Sequence, residues 1–123
     1  MRQGAQFDRA ERVADAIRKL VSEALIMEVS DPRVRGAQIT RVRMTRDLRI
    51  ARVYYHLSPS TEQRRATMAR GFKSVAGFIR KRIGDEMSLK FTPEVEFYYD
   101  ESVDLGERID RLMAGERGEG RDE

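Results

Sequence analysis

The chain has 123 residues, of which 37% are charged and 40% apolar, and its formal net charge is +3. The absence of Cys and the single His, His56, exclude disulfides, iron–sulfur clusters, thiolate zinc sites and multi-histidine metal centres. No run of roughly eighteen apolar residues occurs and the N-terminal segment lacks the apolar core of a signal peptide, so one soluble, cytoplasmic domain is expected.

Residues 1–6 carry no pattern and are expected to be flexible. The first predicted helix places Val13, Ala14, Ile17, Leu20, Val21, Ala24 and Leu25 on one stripe at three–four spacing. Asp8 is its expected N-cap, with Glu11 completing a capping-box pattern. It should end before Ser30-Asp31-Pro32, because proline disfavours helix in the residue ahead of it. A loop is expected over Asp31–Gly36.

Two strands follow, Ile39–Thr45 and Ile50–Leu57, joined by the short turn Arg46-Asp47-Leu48-Arg49. Alternation puts Ala51, Val53, Tyr55 and Leu57 on one face of the second strand, with Arg52, Tyr54 and His56 on the other. In the first strand the same rule sets Thr40, Val42 and Met44 against Arg41 and Arg43. A helical region begins near Ser60, where Ser60-x-x-Gln63 is another capping-box pattern. Its apolar stripe, Met68, Phe72, Val75, Ile79 and Ile83, crosses Val75-Ala76-Gly77. A helical glycine costs about 1 kcal/mol relative to Ala, so a kink or break into two helices is expected at Gly77. Val95, Phe97 and Tyr99 then alternate with polar neighbours as a third strand. Ser102 is the expected cap of a short last helix bearing Leu105, Ile109 and Leu112. Residues 114–123 have nothing to bury and are expected to be a disordered acidic tail. The resulting fold is α+β, a three-stranded sheet with its apolar face covered by helices.

Charge is segregated along the chain. Residues 1–32 carry five basic and six acidic side chains, residues 33–90 fifteen and four, and residues 91–123 four and eleven. All the basic residues except Lys19, Lys73, Lys81 and Lys90 are Arg, whose planar fork matches phosphate geometry. A basic centre of this density fits a polyanionic partner. The candidates for nucleic-acid contact are Arg41 and Arg43 on the first strand, Arg46 and Arg49 in the turn, and Arg52 on the second strand. On the helical region they are Arg64, Arg65, Arg70, Lys73, Arg80, Lys81 and Arg82. Arg80, Lys81 and Arg82 would gain from the helix N-terminus expected just after Gly77. Tyr54 and Tyr98 can stack on unpaired bases or pack flat on the sheet. His56 has no nucleophile and orienting partner at motif spacing, so no catalytic site is expected, nor any metal, cofactor or small-molecule substrate.

Further pieces give a resemblance. They are Arg12-Val-Ala-Asp15, Asp31-Pro-Arg-Val34, Ile39-Thr-Arg-Val42, Asp47-Leu-Arg49, Gly77-Phe-Ile-Arg80, Ile83-Gly84, Leu89-Lys90, Pro93-Glu94, Phe97, Asp100-x-Ser102 and Gly106-x-Arg108-Ile109. Their ordered series over residues 7–113 resembles the ribosome-binding factor A family. The resemblance implies a type II KH-like domain over 7–113. It also implies a non-catalytic monomer that binds the small (30S) ribosomal subunit and its 16S rRNA, assisting late maturation and rRNA processing. KH domains clamp RNA on a Gly-x-x-Gly loop. The family has an Ala-x-Gly kink there, matched here by Val75-Ala76-Gly77 with Val in the first position. Two other classes fit the residues: a general RNA-binding KH-like module, and an α+β protein-interaction module with a basic surface.

Overall fold

The computed structural model describes the backbone of residues 2–122 and the side chains of residues 8–115. Helix α1 (Arg2–Met27) buries Val13, Ala14, Ile17, Leu20, Val21 and Ala24 along the expected stripe. It starts before Asp8, so Asp8 and Glu11 lie within the helix rather than capping it. The loop after α1 contains a single 3-10 turn, Pro32–Val34, capped by Asp31. Residues 2–6 belong to α1 and residues 114–122 to the last helix, where the sequence suggested a flexible start and a disordered acidic tail.

Strands β1 (Gln38–Met44) and β2 (Ile50–His56) are antiparallel, and β3 (Glu94–Tyr99) runs parallel to β2 on its other side. The parallel pairing requires a crossover, supplied by helix α2 (Glu62–Glu86). The order α-β-β-α-β with a three-stranded sheet is the expected α+β architecture and fits the KH-like reading. Simple alternation fails in β1. Ile39 pairs with Tyr55 and Arg41 with Tyr54, so Thr40 is the extra residue of a bulge. Ile39, Val42 and Met44 therefore pack against the core, and Thr40 does not share their face. In the β1–β2 turn, Leu48 adopts a φ of 61°, the left-handed conformation usually left to glycine. Asp47 braces the turn by accepting from Arg49 N and Thr45 Oγ1.

One face of the sheet meets both long helices. Ala51 and Val53 are fully buried there, with Tyr55, Val95 and Phe97 beside them. Phe72 of α2 stacks on Phe97 at 4.5 Å and meets Tyr55 at 4.4 Å. Each such large side chain removed from water contributes about 1.5–3 kcal/mol.

The expected break of the central helix into two is not found. Helix α2 runs unbroken from Glu62 to Glu86, with Thr61 rather than Ser60 as its N-cap. Val75, Ile79 and Ile83 stay buried across Gly77, so one apolar stripe runs through both halves of the helix. Gly77 is exposed, with nothing within 4 Å of where a Cβ would stand. The last helix is also longer than expected, α3 (Glu101–Asp122). Its N-cap is Asp100, which accepts from Ser102 N, not Ser102 itself. Leu105, Ile109 and Leu112 are at least half exposed, so the apolar stripe of α3 does not join the core.

Candidate nucleic-acid interface

Three cationic surfaces emerge. The first lies on α2 beside the edge strand β3. At 3.6 residues per turn, Arg70, Lys73, Gly77, Arg80, Lys81 and Gly84 cluster on one flank. Among the described residues, Arg70 and Lys73 have no carboxylate within 4 Å, and both are exposed. Lys73 overhangs a groove of about 270 Å³ whose walls are Tyr55, Phe72, Ala76, Val95 and Phe97. An adjoining hollow is lined by Gly77, Arg80, Lys81, Gly84, Asp85 and Thr92.

The run Arg80-Lys81-Arg82 is not one patch. Arg80 and Lys81 fall on that flank, but consecutive helical residues point about 100° apart, so Arg82 leaves it. Arg80 donates to the carbonyls of Thr92 and Pro93, both at 3.3 Å, and ties α2 to the loop before β3. Arg82 turns to the opposite flank, pairs with Glu28 after α1 and with Glu86, and is raised in pKa chiefly by the Glu86 hydrogen bond. Lys81, three-quarters exposed, pairs with Asp85. No helix N-terminus stands beside the three, because α2 does not break.

The second surface is the turn end. The Arg49 guanidinium lies 4.2 Å from the centre of the Phe91 ring, and Lys90 Nζ lies 5.6 Å from it. Arg46 is exposed nearby in the chain. Phe91 was not singled out by sequence; the signal was an aromatic residue next to Lys90 in a loop with no periodic pattern.

The third surface is the sheet face turned away from α1 and α2. It carries Arg41, Arg43, Arg52, Tyr54 and Tyr98. Arg41 sits 4.2 Å over Tyr54, whose ring centre is 5.6 Å from that of Tyr98. Arg52 lies 3.5 Å from Glu96, while Arg43 has no ion-pair partner among the described residues. Arg41 also approaches Asp100 at 3.7 Å. Burial opposes ionisation of Asp100, but hydrogen bonds from Ser102 and Thr40 outweigh it and lower its pKa.

His56 shares this face but is buried, because the first turn of α3 covers it. Its Nε2 donates to Asp104 Oδ1 at 2.9 Å. Asp104 also accepts from Tyr99 Oη and Ser60 Oγ. The Tyr99 hydrogen bond, then that of His56, hold the Asp104 pKa below the usual carboxylate range. Asp104 thus works as a polar clasp for α3. His56, Asp104 and Glu107 bring potential ligand atoms within 4.8 Å of one another. Arg108 and Arg111 line the same hollow, and their charge opposes a cation there.

Comparison with known proteins agrees with this architecture. Residues 9–113 match the family described as Ribosome-binding factor A. Ribosome-binding factor A of Geobacter sulfurreducens is 45% identical over 107 residues, covering 87% of this chain and 90% of that one. The Geobacter metallireducens protein of the same name is 42% identical with the same coverage. A Thermotoga maritima protein solved by NMR, 30% identical, superposes with a TM-score of 0.65 over 73% of this chain and 85% of that one. The crystal structure of ribosome-binding factor A from Thermus thermophilus is 17% identical and shares the fold, with a TM-score of 0.61 over 73% of this chain and 94% of that one. Family match, sequence identity over most of the chain and common fold all point one way: this chain belongs to the ribosome-binding factor A family.

Proposed function

We propose that the protein binds the free small (30S) ribosomal subunit through its 16S rRNA and assists late maturation and rRNA processing without catalysing a reaction. The relatives are named for ribosome binding, which supports the partner. The observation that carries the reading is the exposed α2 flank of Arg70, Lys73 and Lys81 beside the apolar groove at β3. A row of exposed cations along an apolar groove suits a nucleic-acid strand better than a small substrate. His56 is engaged with Asp104, which also takes hydrogen bonds from Ser60 and Tyr99, an arrangement that fits a clasp for α3.

The test is a triple variant, Arg70→Gln, Lys73→Gln and Lys81→Gln, none of which holds the core. If each contacts a phosphate, the slope of log affinity for small subunits against log salt becomes shallower by about two to three units, from roughly 0.7–0.9 per contact. Sedimentation of cell extract should place the wild type with free small subunits and the triple variant mostly at the top of the gradient. An unchanged slope in a fully folded variant assigns the contact to another surface. Arg80 and Arg82 make a poor first choice, because their removal also unties α2 from its neighbours.

A further inference from the structure

The strand register arranges the open sheet face in two rows. One crosses the strands as Arg41, Tyr54 and Tyr98; the other, two residues along, crosses as Arg43, Arg52 and Glu96. The rows stand about 7 Å apart, from a rise of 3.3 Å per residue. Arg41 over Tyr54, and Tyr54 tilted 30° beside Tyr98, make the first row a continuous line of cation and aromatic rings. It ends on Tyr98, which is 42% exposed. The Tyr98 hydroxyl donates to Glu96 Oε1 at 2.7 Å, fixing one edge of the ring.

The second row is electrostatically unfinished. Arg43 stands directly opposite Arg52, a like-charge juxtaposition that destabilises a sheet. Glu96 balances Arg52 from the far side, whereas no described carboxylate comes within 4 Å of Arg43, although Glu11 lines the same hollow. An anion seated by Arg43 and Arg52 would relieve the repulsion. Among the described residues, only the first turn of α3 reaches this face, over His56 at one end.

We propose that this open sheet face holds single-stranded RNA. An unpaired base stacks on Tyr98, extending the row from Arg41 through Tyr54, and the adjoining phosphate lies against Arg43 and Arg52. The proposal rests on the reading that the partner is RNA, and adds to it a second contact surface and a preference for unpaired over duplex strands. Stacking with a neighbouring cation row is the chemistry by which sheet surfaces hold single strands.

The experiment titrates a fluorescein-labelled single strand of roughly eight nucleotides, and a duplex of equal length, with the full chain. The single strand should bind more tightly than the duplex. Tyr98→Ala should weaken single-strand binding about 5- to 150-fold, the range of one stacked base, with an unchanged salt slope. Tyr98→Phe keeps the ring and should retain wild-type affinity. Arg43→Gln should make the salt slope shallower by about 0.7, the share of one phosphate on a single strand. Thermal melts of each variant, matching the wild type, exclude a folding defect. Wild-type affinity in a folded Tyr98→Ala variant, or equal binding of duplex and single strand, overturns the proposal. If that same variant still sediments with small subunits, the function proposed above stands and only the sheet contact falls. If the wild type binds neither oligonucleotide nor subunit, both fall. Binding that survives nuclease treatment and needs Tyr98 would mean a protein occupant and would also overturn it.

Discussion

Two glycines of α2 have opposite roles. At Gly71 an added Cβ would stand 2.7 Å from Arg33 Cβ and 2.8 Å from Val34 Cγ1, so the helix and the 3-10 turn touch only because no side chain intervenes. Gly71→Ala should destabilise by about 1–3 kcal/mol through overpacking. At Gly77 the same atom meets open space in an unbroken helix, so Gly77→Ala should stabilise by about 0.5–1 kcal/mol. Urea denaturation midpoints, read side by side, check both signs. Arg33 matters in a second way. Its guanidinium and backbone N–H hold the Asp31 carboxyl well below the usual range, at about 2. A lowered carboxyl pKa adds stability above the unfolded value, near 4, and that contribution is lost as pH falls toward about 2. Asp31→Asn, which can still cap the turn, should flatten the loss of stability on acidification over that window. Denaturation at stepped pH reads the slope directly.

Helix α3 is attached by chemistry unlike that of the other two. Helices α1 and α2 bury continuous apolar stripes, whereas α3 leaves Leu105, Ile109 and Leu112 exposed and meets the body through Asp104 and through Glu101 with Arg65. Substitution on the stripe should therefore be mild. Ile109→Ser should change stability by no more than about 0.5 kcal/mol, the range of surface positions. Asp104→Ala should cost about 1–3 kcal/mol, because His56 is buried and would lose its partner, and Tyr99 would lose its acceptor. Hydrogen exchange should localise the second effect, with protection falling in the first turns of α3 and holding in β2 and α2. The reverse ranking would mean that the apolar stripe, not the clasp, holds the helix.

Across the whole molecule the sheet divides labour. One face is sealed by two helices and supplies the stability, while the other presents Arg43, Arg52 and Tyr98 to solvent. The cations of α2 occupy a separate flank beside β3, so the basic centre of the sequence becomes surfaces in different directions rather than one patch. The end of the chain should be dispensable for this arrangement. Ala114 and Gly115 are exposed, and residues 114–123 contain four acidic and two basic side chains with nothing apolar after Ala114. Deleting 114–123 should leave the urea midpoint unchanged and RNA affinity at low salt undiminished. A lowered midpoint would show that this segment packs on the body.

The sequence by itself determined the α+β class, the three strands, the core stripes and the family. The class, strands and stripes follow from local periodicity, since Ile17, Val53 and Phe72 stand in patterns that admit only one buried face, whereas the family was carried by the ordered series of short motifs. What it could not determine depended on contacts between distant residues. Gly77 suggested a break by its propensity, but the buried Val75 and Ile79 on either side of it outweigh about 1 kcal/mol and keep α2 whole. Arg80, Lys81 and Arg82 read as one patch because adjacency in sequence is not adjacency on a helix. Only tertiary structure showed that Arg82 belongs to Glu28 and Arg80 to the carbonyls before β3. The bulge at Thr40 and the clasp at Asp104 were equally hidden, since the first is set by how β1 pairs with β2 and the second joins β2 to α3. Period and composition act within a few residues, whereas the direction in which a charged side chain finally points is set by whichever distant partner the fold brings to it.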